Sequence, residues 1–124
     1  MTFSRSGSGG WASGVTSFTG VDQTNPTDGN ALGATGTSTT PTSAAKTGVI
    51  GDMLTDVVVA NPITVADGGT QAWNDAGGDA SQYKAASGAA QTTGWTSSNA
   101  AWVVVVALLK QAAAVPVSIA WIGA

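Results

Sequence analysis

Ala100-Ala101-Trp102-Val103-Val104-Val105-Val106-Ala107-Leu108-Leu109-Lys110 is the stretch whose reading decides the fold. Four consecutive valines lose side-chain freedom in a helix but fit a pleated strand, so the run predicts β structure although Ala107 to Leu109 and Ala112 to Ala114 would suit a helix. An unbroken apolar run of this kind reads as a central strand buried on both faces. It spans ten residues before Lys110, whereas a membrane-crossing helix needs roughly 20, and it is therefore read as core.

Outward from that strand, the same setting recurs at the other end of the chain. Gly9-Gly10-Trp11-Ala12-Ser13-Gly14-Val15-Thr16-Ser17-Phe18 places a tryptophan in a strand-like context, and the two tryptophans stand 102 − 11 = 91 positions apart. Alternation over Trp11 to Phe18 puts Trp11, Ser13, Val15 and Ser17 on one face and Ala12, Gly14, Thr16 and Phe18 on the other. A first strand that looks like the last predicts a repeat entered at its final strand, which points to assembly rather than catalysis.

Between them the chain reads as short strands punctuated by turns. Gly20 to Asn30 is a turn region carrying Pro26, Asn25 and Asp28. Ala31 to Thr47, almost wholly Ala, Gly, Ser and Thr, is either a linker or one or two edge strands, and its threonines favour strands. Met53-Leu54-Thr55-Asp56-Val57-Val58-Val59-Ala60 is a strand ended by Asn61-Pro62. Asp56 shares the Leu54 and Val58 face, so that face meets solvent or an interface, or Asp56 has a buried partner. Ile63 to Val65, Gln71 to Trp73, Gln82 to Lys84 and Thr92 to Trp95 are further short strands, with Asp67-Gly68-Gly69 and Asp75 to Asp79 as turns.

Beyond Lys110, Gln111 to Ala114 reads as a connector. Alternation then returns in Val115-Pro116-Val117-Ser118-Ile119-Ala120-Trp121-Ile122, with Val115, Val117, Ile119 and Trp121 on one face and Pro116 confining the segment to an edge. The expected fold is all-β, an antiparallel, jelly-roll-like β-sandwich of about eight short strands. Residues 1–10 are expected to be a flexible lead-in, 11–110 the sandwich, and 111–124 a connector and edge strand for assembly.

Composition narrows function mostly by exclusion. Only 9% of the 124 residues are charged, against about 25% in typical soluble proteins. The net charge of −3 comes from seven aspartates set against Arg5, Lys46, Lys84 and Lys110, and this distribution offers no basic patch for a nucleic-acid backbone. No cysteine and no histidine occur, so thiolate metal sites, disulfides and the commonest general base are all missing. The first ten residues lack the apolar core of a secretory signal, so any export is expected by another route.

The chemical motifs are correspondingly weak. A Ser or Thr nucleophile would depend on a lysine or an aspartate; no Gly-x-Ser-x-Gly elbow is present, and the Ser-x-x-Lys spacing of Ser43 to Lys46 and of Ser81 to Lys84 falls on segments read as strands, where residues three apart point to opposite faces. Asp67, Asp75 and Asp79 could pair as glycosidase carboxylates or surround calcium, but each sits beside glycine or alanine in a turn setting, where a turn-forming role is the commoner one. Gly7 to Gly10 has no strand before it to make a phosphate loop. The reading is of a non-enzyme without cofactor or metal. Trp73, Tyr83 and Trp95 are candidate glycan contacts, since exposed aromatic rings stack on sugars, while Trp11, Trp102 and Trp121 suit a core or interface.

Trp11-Ala12-Ser13-Gly14-Val15, then Phe18-Thr19-Gly20-Val21-Asp22-Gln23-Thr24-Asn25-Pro26-Thr27-Asp28, a Thr/Ser-rich stretch, Gly51-Asp52-Met53-Leu54 and Ala101-Trp102-Val103-Val104-Val105-Val106-Ala107-Leu108 together resemble a β-sandwich repeat of bacteriophage virion proteins and large bacterial surface proteins. The likeness covers roughly residues 10–110, and the fuller form of the repeat carries an earlier half of the same pattern. It implies a virion structural protein, a capsid decoration or fibre subunit at the particle surface that packs with copies of itself and other virion proteins; it implies no catalytic residues. The expected assembly interface is Val115, Val117, Ile119 and Trp121, added to a neighbour's sheet. The alternative is a carbohydrate-binding or adhesin module.

Overall fold

The valine run forms β9 (Ala100–Leu109), which lies in the middle of the main sheet. The computed structural model describes residues 14–61, 63–75, 78–98 and 100–114. Their other strands are β1 (Leu32–Ser38), β2 (Lys46–Thr47), β3 (Met53–Val59), β4 (Thr64–Val65), β5 (Thr70–Asn74), β6 (Asp79–Ala85), β7 (Ala90–Gln91) and β8 (Trp95–Thr96), and no helix occurs among the described residues. The fold is all-β, as the turn spacing implied.

Five strands make one antiparallel sheet in the order β1-β9-β3-β6-β5. β9 is held on both sides, with Val103 opposite Thr35 of β1 and Val59 of β3, and Val105 opposite Gly33 and Val57. One face of this sheet is covered by a second layer of short pieces. β2 pairs with β7 and β4 with β8. Thr39 to Ser43 runs beside Thr93 to Ser97 through Ser43 N to Thr93 O (2.9 Å), Trp95 N to Pro41 O (2.9 Å) and Ser97 N to Thr39 O (2.9 Å). The result is a sandwich-like arrangement with one continuous layer and one assembled from fragments.

The core lies between these layers in two clusters. One gathers Val58, Ala60, Ile63, Ala80, Trp95 and Val104, with Val65 and Trp102 packed against it; the other gathers Leu54, Ala86, Val106 and Leu108. Leu54, Val58, Val104, Val106 and Leu108 are at most 1% exposed, and each such side chain contributes about 1.5–3 kcal/mol by leaving water. Trp102 fits because its neighbour across the ladder is Gly36, where a Cβ would stand 2.5 Å from the indole Cζ2. Its Nε1 donates to Ser38 Oγ at 3.0 Å.

Asp56 sits on the inner face between the two clusters, 2% exposed, opposite Gln82 in the β3–β6 ladder. The buried partner that its position demanded is Trp95, whose Nε1 donates to Oδ2 at 2.9 Å. Gln82 N donates to Oδ1 at 3.1 Å, and Gln82 Nε2 reaches Gly94 O of the second layer at 3.0 Å. Burial raises the Asp56 pKa, while Thr93, Trp95 and Gln82 pull it back. The network joins the layers by a charge-assisted bond at the centre of the core.

Other buried polar groups fasten loops. Lys46, 9% exposed, donates from Nζ to the carbonyls of Asp28 (3.0 Å) and Asn30 (2.7 Å). Gly29 between them has φ +67°, a conformation that favours glycine. Asp52, 3% exposed, accepts Val49 N at 3.1 Å and Gln111 N at 2.9 Å.

Two expectations change. Trp11 to Ser13 lie outside the described residues, and Gly14 to Phe18 belongs to no ladder. The alternation survives without pairing: Phe18 meets Tyr83 edge to face at 5.6 Å, and Gly14 lies against the Trp73 indole, whereas Val15 is 71% exposed. Second, β9 is central but buried on one face alone, because the second layer covers only one side of the sheet.

Candidate assembly face

The uncovered side of β1, β9 and β3 is apolar. Val57, Val59, Val103 and Val105 are 45%, 53%, 42% and 44% exposed. They form two directly opposed pairs, Val57 with Val105 and Val59 with Val103, a spacing that puts their side chains about 4.5–5.5 Å apart as one patch. Gly33, Thr35 and Thr37 of β1 flank it, with Ala101 at one end and Thr55 beside it. No ionisable side chain stands on this face of β1, β9 or β3. An open depression of about 410 Å³ lies there between Thr35, Thr37, Ala101, Val103 and Val59.

Across β6 and β5 the same side is closed. Tyr83, Ser81 and Trp73 carry the face onward, Phe18 and Gly14 pack on Tyr83 and Trp73, and Ser81 between them is 3% exposed. Asp79, the direct ladder partner of Val59, borders the open half at one corner, its pKa raised by burial and then by Asp75. The sheet thus presents a covered half and an open, uncharged half.

The sheet margins differ as well. β5 has a register irregularity between Gln71 and Trp73, which blunts it as a pairing edge. β1 has none, and its seven residues, Leu-Gly-Ala-Thr-Gly-Thr-Ser, include no charge and no proline. β1 itself therefore carries neither the charge, the proline nor the bulge that guards many natural edge strands.

The residues expected from sequence to form sites are dispersed. Val115, Val117, Ile119 and Trp121 lie outside the described residues. Trp95 is 1% exposed with its indole nitrogen on Asp56, so it offers no ring face to a sugar; a single stacking surface with Trp73 and Tyr83 is also ruled out because those two occupy the opposite side of the sheet. Asp67 pairs with Lys84 at 2.5 Å, and Asp75 Oδ1 accepts Asp79 N at 3.1 Å. These are the structural roles that a turn setting favours. Among the described residues no cluster of three or more acidic side chains could hold a metal ion.

The valine face was missed because four consecutive valines look the same whether one side or both are covered. The signal that could have found it lies in β1 and β3, where Gly33, Thr35, Thr37 and Thr55 alternate with the inward residues, as on a half-covered sheet. Comparisons with protein-family models, with curated proteins and with solved structures gave no match.

Proposed function

We propose that this chain is a structural protein that works by packing against copies of itself and other components of a larger particle. The resemblance of its Trp-Ala-Ser-Gly-Val and Trp-Val-Val-Val-Val segments to virion repeats supports reading that particle as a bacteriophage virion, with the chain as a capsid decoration or fibre subunit at its surface. The observation that supports this is the open valine face at the centre of the main sheet. A contiguous apolar patch without charges marks a protein contact more often than an idle surface. Covering the exposed halves of the four valines contributes about 3–6 kcal/mol per copy, a useful share of an interface repeated many times. Nothing in the role requires catalysis, a cofactor, nucleic acid or a membrane.

Light scattering on the parent chain and on Val103→Lys tests the proposal. The lysine is tolerated in a monomer, since position 103 is already partly exposed, but it would place an unpaired charge in an apolar contact. The parent is expected to associate and Val103→Lys to fall to the mass of one chain. Equal association of both would remove the valine face from the interface.

A further inference from the structure

We infer that residues 115–122 of one copy add as a strand to the edge of β1 in the next that no described strand pairs, an inference that rests on the assembly reading above. The valine face alone is too small to hold a stable pair. Three strands of seven residues cover about 14 × 23 Å, or roughly 330 Å², less than half of the ~800 Å² per partner of an ordinary stable interface. Another element must enlarge the contact, and the edge bordering the face is β1.

β1 and the segment match in length and character. β1 has seven residues and no charge; residues 115–122, Val-Pro-Val-Ser-Ile-Ala-Trp-Ile, number eight and are likewise uncharged. Alternation puts Val115, Val117, Ile119 and Trp121 on one face, which could extend either the valine face or the core beside it. Pro116 has no N–H, so the flank of the strand that carries residues 116, 118 and 120 lacks a donor. The other flank, with the backbone groups of residues 117, 119 and 121, is intact for pairing.

The geometry favours a second copy over the same chain. The described chain leaves β9 at the end of the sheet where β1 begins, with Gln111 bridged to Val21, Ala112 N on Gly20 O at 2.7 Å, and Thr27 opposite Leu109. Residues 20–28 therefore flank β9 on its β1 side. To reach that edge of β1, the same chain would have to arch over that flank, and it would then run parallel to β1. A segment from a neighbour needs no such crossing and can pair antiparallel, as every ladder of this fold does. The main-chain ladder supplies affinity, and the alternate side chains supply register.

The test compares four samples by light scattering and by hydrogen exchange of residues 32–38. They are the full chain, a chain ending at Ala114, the full chain carrying Ile119→Pro, and the shortened chain mixed with a synthetic peptide of residues 115–124. Circular dichroism and cooperative urea unfolding check folding, and if the shortened chain does not fold, Ile119→Pro decides. Both variants are expected to lose mass and to exchange β1 amides on the order of tenfold faster or more, with the peptide restoring protection. If the full chain associates while β1 exchange is indifferent to residues 115–124, this inference falls and the assembly reading stands. A full chain that is always single overturns both. Protection of β1 that persists in diluted single chains would mean that the segment folds onto its own sheet, which also overturns the inference.

Discussion

Asp56→Ala is expected to destabilise the chain by about 2–4 kcal/mol. The substitution leaves Trp95 Nε1 and Gln82 N without the carboxylate oxygens that they meet at 2.9 and 3.1 Å, both at the centre of the core. A buried donor without a partner costs about 1–3 kcal/mol. Relief from holding a carboxylate out of water, the cause of its raised pKa, offsets part of that loss. Gln82 Nε2 retains Gly94 O, so one tie to the second layer survives. The net figure is a large fraction of the ~5–15 kcal/mol that holds such a domain together. Urea unfolding followed by tryptophan fluorescence, at one fixed protein concentration, measures it as a lower midpoint with an unchanged slope. Trp95→Phe, alone and combined, completes a cycle whose expected coupling is about 1.5–3 kcal/mol. An Asp56→Ala chain within about 0.5 kcal/mol of the parent, or a coupling near zero, would show that the network does not join the layers.

The pH dependence of the same substitution has a definite sign. Because the folded pKa of Asp56 is raised above 3.8, its proton-linked stabilisation is complete below that value and is lost as pH rises through the folded pKa. The stability gap between parent and Asp56→Ala is thus expected to be wider at pH 3 than at pH 7, and a gap that widens upward would contradict it. Gly36→Val brings a Cβ to 2.5 Å from Trp102 Cζ2; displacing that ring is expected to cost about 1–3 kcal/mol and to lower the melting temperature. Unaltered melting would mean that Trp102 is loosely held. Lys46→Met removes both bonds to the Asp28 and Asn30 carbonyls. Hydrogen exchange should quicken over the loop at residues 26–30 and stay unchanged in β3, whereas uniform quickening would assign Lys46 a global role.

Strand identity was legible where the side chains themselves dictate it. The β-branched runs of β3 and β9 have few alternatives, and the threonines of Leu32 to Ser38 outweighed its glycines. Asp56 announced a partner but not which one, since Trp95 is 39 positions away in sequence and only the folded second layer brings it near. The same limit applies to the tryptophans. Trp73 and Trp95 have similar local settings, yet one lies under Gly14 on the outer side and the other fills the core. Alternation in Gly14 to Phe18 records which side chains approach the sheet, not whether the backbone joins a ladder. For β9, sequence fixed neither how far the second layer extends nor that the outer valines stay open, because that depends on short fragments such as β2 and β8 with almost no pattern of their own.

The molar mass of the native chain across protein concentration bears most directly on the idea that the open valine face exists to be covered by other copies. A mass rising above the 12.1 kDa of one chain towards a defined multiple, with Val57, Val59, Val103 and Val105 shielded from solvent in the assembled form, is the expected result. A mass of one chain at every concentration would contradict it.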